Sequence, residues 1–233
     1  MAIARFQIRI IGGRFRRQGL FSNPGLTTRP ITNRMKEYLF ERLRNNVPDA
    51  RVLDVFAGTG TIGLEALSRG AKSVIFIERD HRAFDILKQN ISKIGVEEET
   101  FCWRTDVFRT SFMPRGYEEL QPYDVIFFDP PYPMVPGLKP SDPLYKSIER
   151  LAKEKVSSED ALLLFRTERY TEFELPAVWT IVDKMSVSSS TMYFCRKTSS
   201  IDPADFADIE TSMSEKSTSE EETDEEPTNE EET

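Results

Sequence analysis

The sequence has one histidine, two cysteines and two tryptophans in 233 residues. His81 alone cannot build a histidine-rich metal site. It also speaks against a Ser-His-Asp triad, because it sits beside Asp80 at the start of a helical segment and reads as a surface residue. Cys102 and Cys195 lie too far apart for a metal knuckle and suggest no disulfide framework. Reduced thiols in a cytoplasmic protein are the plain expectation. Long apolar runs are missing too: "ALLLF" and "DVIFF" are far too short to cross a bilayer. "MAIARFQIRIIGGRFRR" has no long apolar stretch and no small-residue cleavage site, so no secretion signal is expected. Trp103 and Trp179 read as core or edge packing.

Enough apolar residues remain for one well-cored domain plus appendages, with 39% hydrophobic content and 16 Phe. The net charge of −8 conceals two opposite ends. Residues 201–233 hold 14 Asp/Glu and one Lys, a net of −13, which leaves +5 for residues 1–200. Residues 1–44 carry ten Arg/Lys against two Glu. The acidic end has no sign of a core and is expected to be disordered, serving solubility. The basic front suits an anionic partner. Arg5, Arg9, Arg14, Arg16, Arg17, Arg29, Arg34 and Lys36 are placed to track phosphates, with Phe15 interleaved.

The body alternates strand and helix patterns. Strands are expected at 51–58, 72–80, 100–108, 123–129 and 160–168. Helices are expected at 61–70, at 81–95 with Phe84, Leu87, Ile91 and Ile94 on one face, and at 142–155 with Asp142 as cap. Near-continuous Val/Ile/Leu/Phe strands between helices indicate a largely parallel sheet covered on both faces. "TIVDKMSVSS" and "STMYFCRK" follow with no helix between them and read as an antiparallel hairpin closing that sheet. The fold class is therefore α/β, doubly wound and Rossmann-like. Before it, "FQIRIIGGRFRRQGL" reads as a small basic β-hairpin. "TRPITNRMKEYLFERLRNN" reads as a helix with Met35, Leu39 and Leu43 on its apolar face and Thr32 as cap. The expected organisation is a basic hairpin and helix over 1–45, a core over 46–198 and the acidic tail over 199–233.

Ligands in such folds sit beyond the carboxyl ends of the strands. Two motifs lie there. "DVFAGTGTIG" places Gly58, Gly60 and Gly63 in G-x-G-x-x-G spacing between a strand and a helix, with Glu78 twenty residues after Gly58. Glycines let the backbone approach a nucleotide, and the acid suits a ribose diol. The loop fits either NAD or S-adenosylmethionine. Asp54 inside the first strand tilts toward the latter, since its charge needs a partner such as the cofactor's ammonium group. Asp106 could accept from the adenine amino group, or cap the turn that follows it.

The second motif is "FFDPPYP" at 127–133. Proline cannot extend a central strand, so the strand stops and leaves Asp129 at its tip. A carboxylate and the Pro130 carbonyl can accept the two N–H bonds of a base-conjugated amine, whose lone pair is otherwise delocalised. Tyr132 offers a face for a flipped-out base.

Together "IRIIGG", "TRPITNRMKEYLFERL", "VLDVFAGTGTIGLEALSRGA", "FIERD" and "FFDPPY" resemble, in order and spacing, the RsmD family of bacterial 16S rRNA guanine-N2 methyltransferases. The likeness covers about residues 7–196. It implies a seven-stranded class I methyltransferase core and transfer of a methyl group from S-adenosylmethionine to a guanine amine in small-subunit rRNA. Asp54, Gly58, Gly60, Glu78 and Asp106 would contact the cofactor. Asp129, Pro130 and Tyr132 would hold the target. The implied partner is 16S rRNA or a small-subunit assembly intermediate, with a monomeric enzyme, no membrane and no metal. Asn33, where the family often has Asp, the long loop after Tyr132 and the acidic tail depart from the pattern. The rivals are a DNA adenine-N6 methyltransferase, a protein glutamine methyltransferase, which typically carries Asn-Pro-Pro-Tyr, and a non-catalytic rRNA-binding assembly factor. A dehydrogenase has no hydride-transfer site to support it.

Overall fold

A computed structural model of the chain describes residues 8–22, 31–205 and Ile209. Arg5, Arg29 and the acidic tail beyond residue 209 lie outside the described residues. The elements follow the expected alternation. A two-stranded antiparallel hairpin comprises β1 (Ile8–Arg9) and β2 (Gly19–Leu20). Helix α1 (Asn33–Arg42) follows, then β3 (Arg51–Val55), α2 (Thr61–Ser68), β4 (Ser73–Ile77) and α3 (His81–Ile94). The chain continues through β5 (Thr100–Trp103), β6 (Tyr123–Phe128), α4 (Pro143–Leu151), β7 (Ser157–Glu168), β8 (Trp179–Val187) and β9 (Ser190–Lys197).

The main sheet has seven strands in the order β5-β4-β3-β6-β7-β9-β8. β5, β4, β3, β6 and β7 are mutually parallel, and β9 and β8 add the antiparallel hairpin. Side chains alternate across a strand, so each strand feeds two cores. Val52, Val74, Phe76, Val125 and Phe127 face one layer with Leu39 and Phe40 of α1, Leu64 of α2 and Leu87 of α3. Leu53, Val55, Ile75, Ile126 and Phe128 face the other, with Leu144, Ile148 and Leu151 of α4. Both faces are therefore dry, which is why these strands read as continuous apolar runs.

Local signals behave as expected at most helix ends. The Thr32 hydroxyl accepts from the Met35 amide at 3.1 Å, and the Asp80 carboxylate from the Ala83 amide at 2.8 Å. Gly95 ends α3 in the left-handed conformation. Asp142 differs. Its side chain does not cap α4 but accepts from the Lys139 amide at 3.0 Å, closing the turn before the helix. Pro143 at the first helical position leaves one fewer amide there to cap. The third strand also ends early, at Trp103, and Asp106 lies in the loop beyond it. Cys102 and Cys195 are free thiols. Among the described residues no helix is long and apolar enough to cross a membrane.

Candidate active site

The strand order changes direction between β3 and β6, which lie side by side with Val55 opposite Phe128. β3 leads into the glycine loop and β6 into Asp129. The Asp129 amide points at the Val55 carbonyl at 3.5 Å, so the two motifs leave the sheet as neighbours. This is the crevice where doubly wound sheets bind ligands.

The glycine loop is built on close approach. A Cβ on Gly60 would lie 2.4 Å from Leu87 Cδ1, and one on Gly63 would lie 2.3 Å from the Phe76 ring. Gly58 and Gly60 both have positive φ. A Cβ on Gly58 would meet nothing within 4 Å, so this position faces open space. Phe56 also has a positive φ, 62°, and packs edge-on against Phe128 at 5.3 Å between centroids. A bulky residue in that conformation is strained. No local pattern announced it.

Three carboxylates surround the loop. Glu78 accepts from the Gly58 amide at 2.8 Å and the Asp80 amide at 2.7 Å. Asp54 is buried, and its partner is within the protein: the Gly63 amide of α2, at 3.0 Å. Burial, opposed by that bond and helped by the nearby Asp129 and Glu78, pushes Asp54 up to about 8. Asp106 takes the role of a turn cap, accepting from the Phe108 amide at 3.0 Å, with Arg79 at 3.7 Å on its other oxygen. These acids, beside the open space at Gly58, suit a cationic nucleoside ligand.

At the β6 tip, Asp129 is held by a residue the sequence reading missed. Arg166 Nε, from β7, donates to Asp129 Oδ1 at 2.7 Å. The Arg166 guanidinium carbon lies 5.4 Å from the Tyr132 ring centroid. The Tyr132 hydroxyl is hydrogen-bonded to Ser190 Oγ of β9. The prolines start a short turn in which the Met134 amide donates to the Pro131 carbonyl at 2.9 Å. The signal for Arg166 was present: an arginine directly after "ALLLF" in a strand buried on both faces needs a partner.

The basic front is anchored to α2, the helix that opens from the glycine loop. Glu65 of α2 is fully buried. Its carboxylate accepts from the Ile11 and Gly12 amides, each at 2.8 Å, and from Arg69 Nε at 2.9 Å. Lys36 is buried as well, which corrects its expected phosphate role. Its ammonium donates to the Arg9 carbonyl at 2.9 Å and lies 3.7 Å from Glu65. Lys36 precedes Phe40 by one helical turn, so both face inward. Buried Asn90 makes a second tie, donating to the Thr59 and Phe21 carbonyls and accepting from the Phe21 amide. Of the expected RNA contacts, Arg9, Arg16 and Arg17 line one surface cavity of about 400 Å³ together with Glu37. Arg14 is paired with Glu99 and covers Phe15, and Arg34 lies over the exposed Tyr38 ring.

A family model described as "Conserved hypothetical protein 95" matches residues 8–196. The chain belongs to this family. It is the RsmD family that the motifs resemble, and its named members agree. A Buchnera aphidicola relative (subspecies Acyrthosiphon pisum), ribosomal RNA small subunit methyltransferase D, is 33% identical over 181 residues, spanning 76% of this chain and 87% of its own length. The Haemophilus influenzae protein of the same name is 32% identical over 183 residues, covering 77% and 88%. The solved structure of Escherichia coli yhhF, described as a candidate methyltransferase, superposes with a TM-score of 0.66 at 27% identity, over 82% of this chain and 97% of that one. The expected α/β class, the mostly parallel seven-stranded sheet and the terminal hairpin all stand.

Proposed function

We propose that this RsmD-family protein transfers a methyl group from S-adenosylmethionine to the exocyclic N2 amine of one guanine in 16S rRNA. Its relatives carry the name of small-subunit rRNA methyltransferases. The observation that carries the reading is the adjacency of the glycine loop and Asp129, joined through the Val55 carbonyl. A donor in the first and an acceptor held at the second would meet at the switch point of one sheet.

S-adenosylmethionine, when bound, supplies an already activated methyl group, so the chain needs no metal and no strong base. Its own residues have three tasks. Gly58, Gly60, Glu78, Asp54 and Asp106 hold the cofactor at the carboxyl edge of β3, β4 and β5. Asp129 and the Pro130 carbonyl accept the two N–H bonds of the target amine and favour the pyramidal, attacking nitrogen. The amine nitrogen would take up the methyl group, and the proton that the amine then loses would pass to the Asp129 carboxylate or to solvent. Tyr132 supports the base. Arg9, Arg14, Arg16, Arg17 and Arg34, and with them Arg29, contact rRNA phosphates. The enzyme works as a cytoplasmic monomer on the small subunit or its assembly intermediate.

The test is to incubate the protein with labelled S-adenosylmethionine and small subunits, free rRNA or DNA, and to map the label. Label on a small-subunit rRNA guanine supports the reading. Label in DNA or protein with none in rRNA overturns it.

A further inference from the structure

Arg166 is 5% exposed in the middle of the sheet, yet it carries a charge. Burying a guanidinium is costly unless it is paired, and its partner is the carboxylate proposed to hold the methyl acceptor. The pair is short, 2.7 Å, and engages Asp129 Oδ1. Among the described residues Asp129 Oδ2 has no hydrogen bond, and the Asp129 side chain keeps 16% of its surface exposed. The same guanidinium lies over the ring of Tyr132, and that ring is fixed from its other end by Ser190. One arginine on β7 thus touches both side chains of the Asp-Pro-Pro-Tyr segment. We infer that Arg166 is a positioning residue for the methyl acceptor, fixing Asp129 so that Oδ2 meets the amine and covering one face of Tyr132 so that the base stacks on the other. This rests on the proposed role of Asp129.

The electrostatics point the same way. Burial pushes the Asp129 carboxyl up, and Arg166 opposes that rise by attraction and by its hydrogen bond. The buried carboxyl of Asp54, from β3, is itself pushed up by burial, with Asp129 and Glu78 of the adjoining segment adding to that rise. Tyr132 is the titratable group on the same loop. Arg166 is the cation among these groups. A protonated Asp129 would present a donor where an acceptor is required. Removing the cation leaves burial unopposed, so Asp129 would stay protonated to higher pH and the acid limb of the rate profile would move upward.

Arg166→Gln and Arg166→Lys separate positioning from folding. Single-turnover methylation of small subunits is measured from pH 6 to 9, with S-adenosylmethionine affinity measured by calorimetry. For Arg166→Gln the expected result is a rate about tenfold or more below wild type at neutral pH. It should recover partly as pH rises, with the acid limb shifted up by about one unit or more and cofactor affinity unchanged. Arg166→Lys should restore the limb toward its wild-type position. A Gln variant with the wild-type rate and profile overturns the inference, and so does a loss equal at every pH in both variants. Asp129→Asn is measured beside them: if it keeps wild-type activity, the role of Asp129 itself fails, independently of Arg166.

Discussion

Glu65 and Asp129 are both carboxylates at the rim of an apolar core, and each is paired with an arginine. Glu65 is fully buried, and both of its oxygens are engaged by amides of the basic hairpin, with Arg69 and Lys36 beside them. Asp129 is engaged through one oxygen, by Arg166, and stays partly exposed at the crevice. A carboxylate saturated by its own chain holds that chain together. One with an oxygen left at the surface can hold something else. The first fixes the N-terminal hairpin onto the helix that opens from the glycine loop; the second keeps part of its surface open at the crevice.

That contrast can be broken at several points. Glu65→Ala should cost the most, because it strands buried Lys36 and the Ile11 and Gly12 amides. A loss of about 3–5 kcal/mol in denaturant unfolding is expected. A variant within 1 kcal/mol of wild type, roughly the weight of a surface pair, would mean that Glu65 is no anchor. Asp129→Ala should leave the fold intact and lower turnover by about 10²–10³, read in a single-turnover methylation assay. Gly63→Ala drives a methyl into the Phe76 ring at 2.3 Å. It should lower stability by about 1–3 kcal/mol, visible as a lower melting temperature with bound cofactor failing to restore it fully. Arg17→Gly is the gentlest change. Arg17 holds a φ of 73°, which suits glycine better, so stability should stay within about 1 kcal/mol of wild type. The salt dependence of rRNA binding should nonetheless flatten by about one phosphate contact. An unchanged salt slope would remove Arg17 from the RNA surface.

The same two carboxylates show what the sequence could reveal. Asp129 was legible because the prolines bar any extension of β6, and the glycine loop because close backbone approach leaves glycine as its mark. The strands were legible because both sheet faces are dry. Glu65 was not, and Arg166 showed only that it needs a partner, not which one, since partners are set by tertiary contact: Glu65 bonds residues 53 and 54 positions away, Arg166 one 37 away, and Asn90 reaches 69 back to Phe21. Helical spacing brought out the Met35, Leu39 and Leu43 row and passed over the adjacent Lys36–Phe40 row, so a buried lysine was read as a surface one. Asp54 inside β3 and Asp106 beyond β5 stood out in the sequence as acids, but backbone amides that no pattern displays already engage them.

The most direct test is nucleoside analysis of 16S rRNA after reaction of unmodified small subunits with S-adenosylmethionine and either the wild-type protein or Asp129→Ala. N2-methylguanosine should form with the wild type and almost none with the variant, although the variant binds S-adenosylmethionine as tightly. A variant that methylates at the wild-type rate, or a wild-type product methylated on another base or atom, would contradict the proposed reaction.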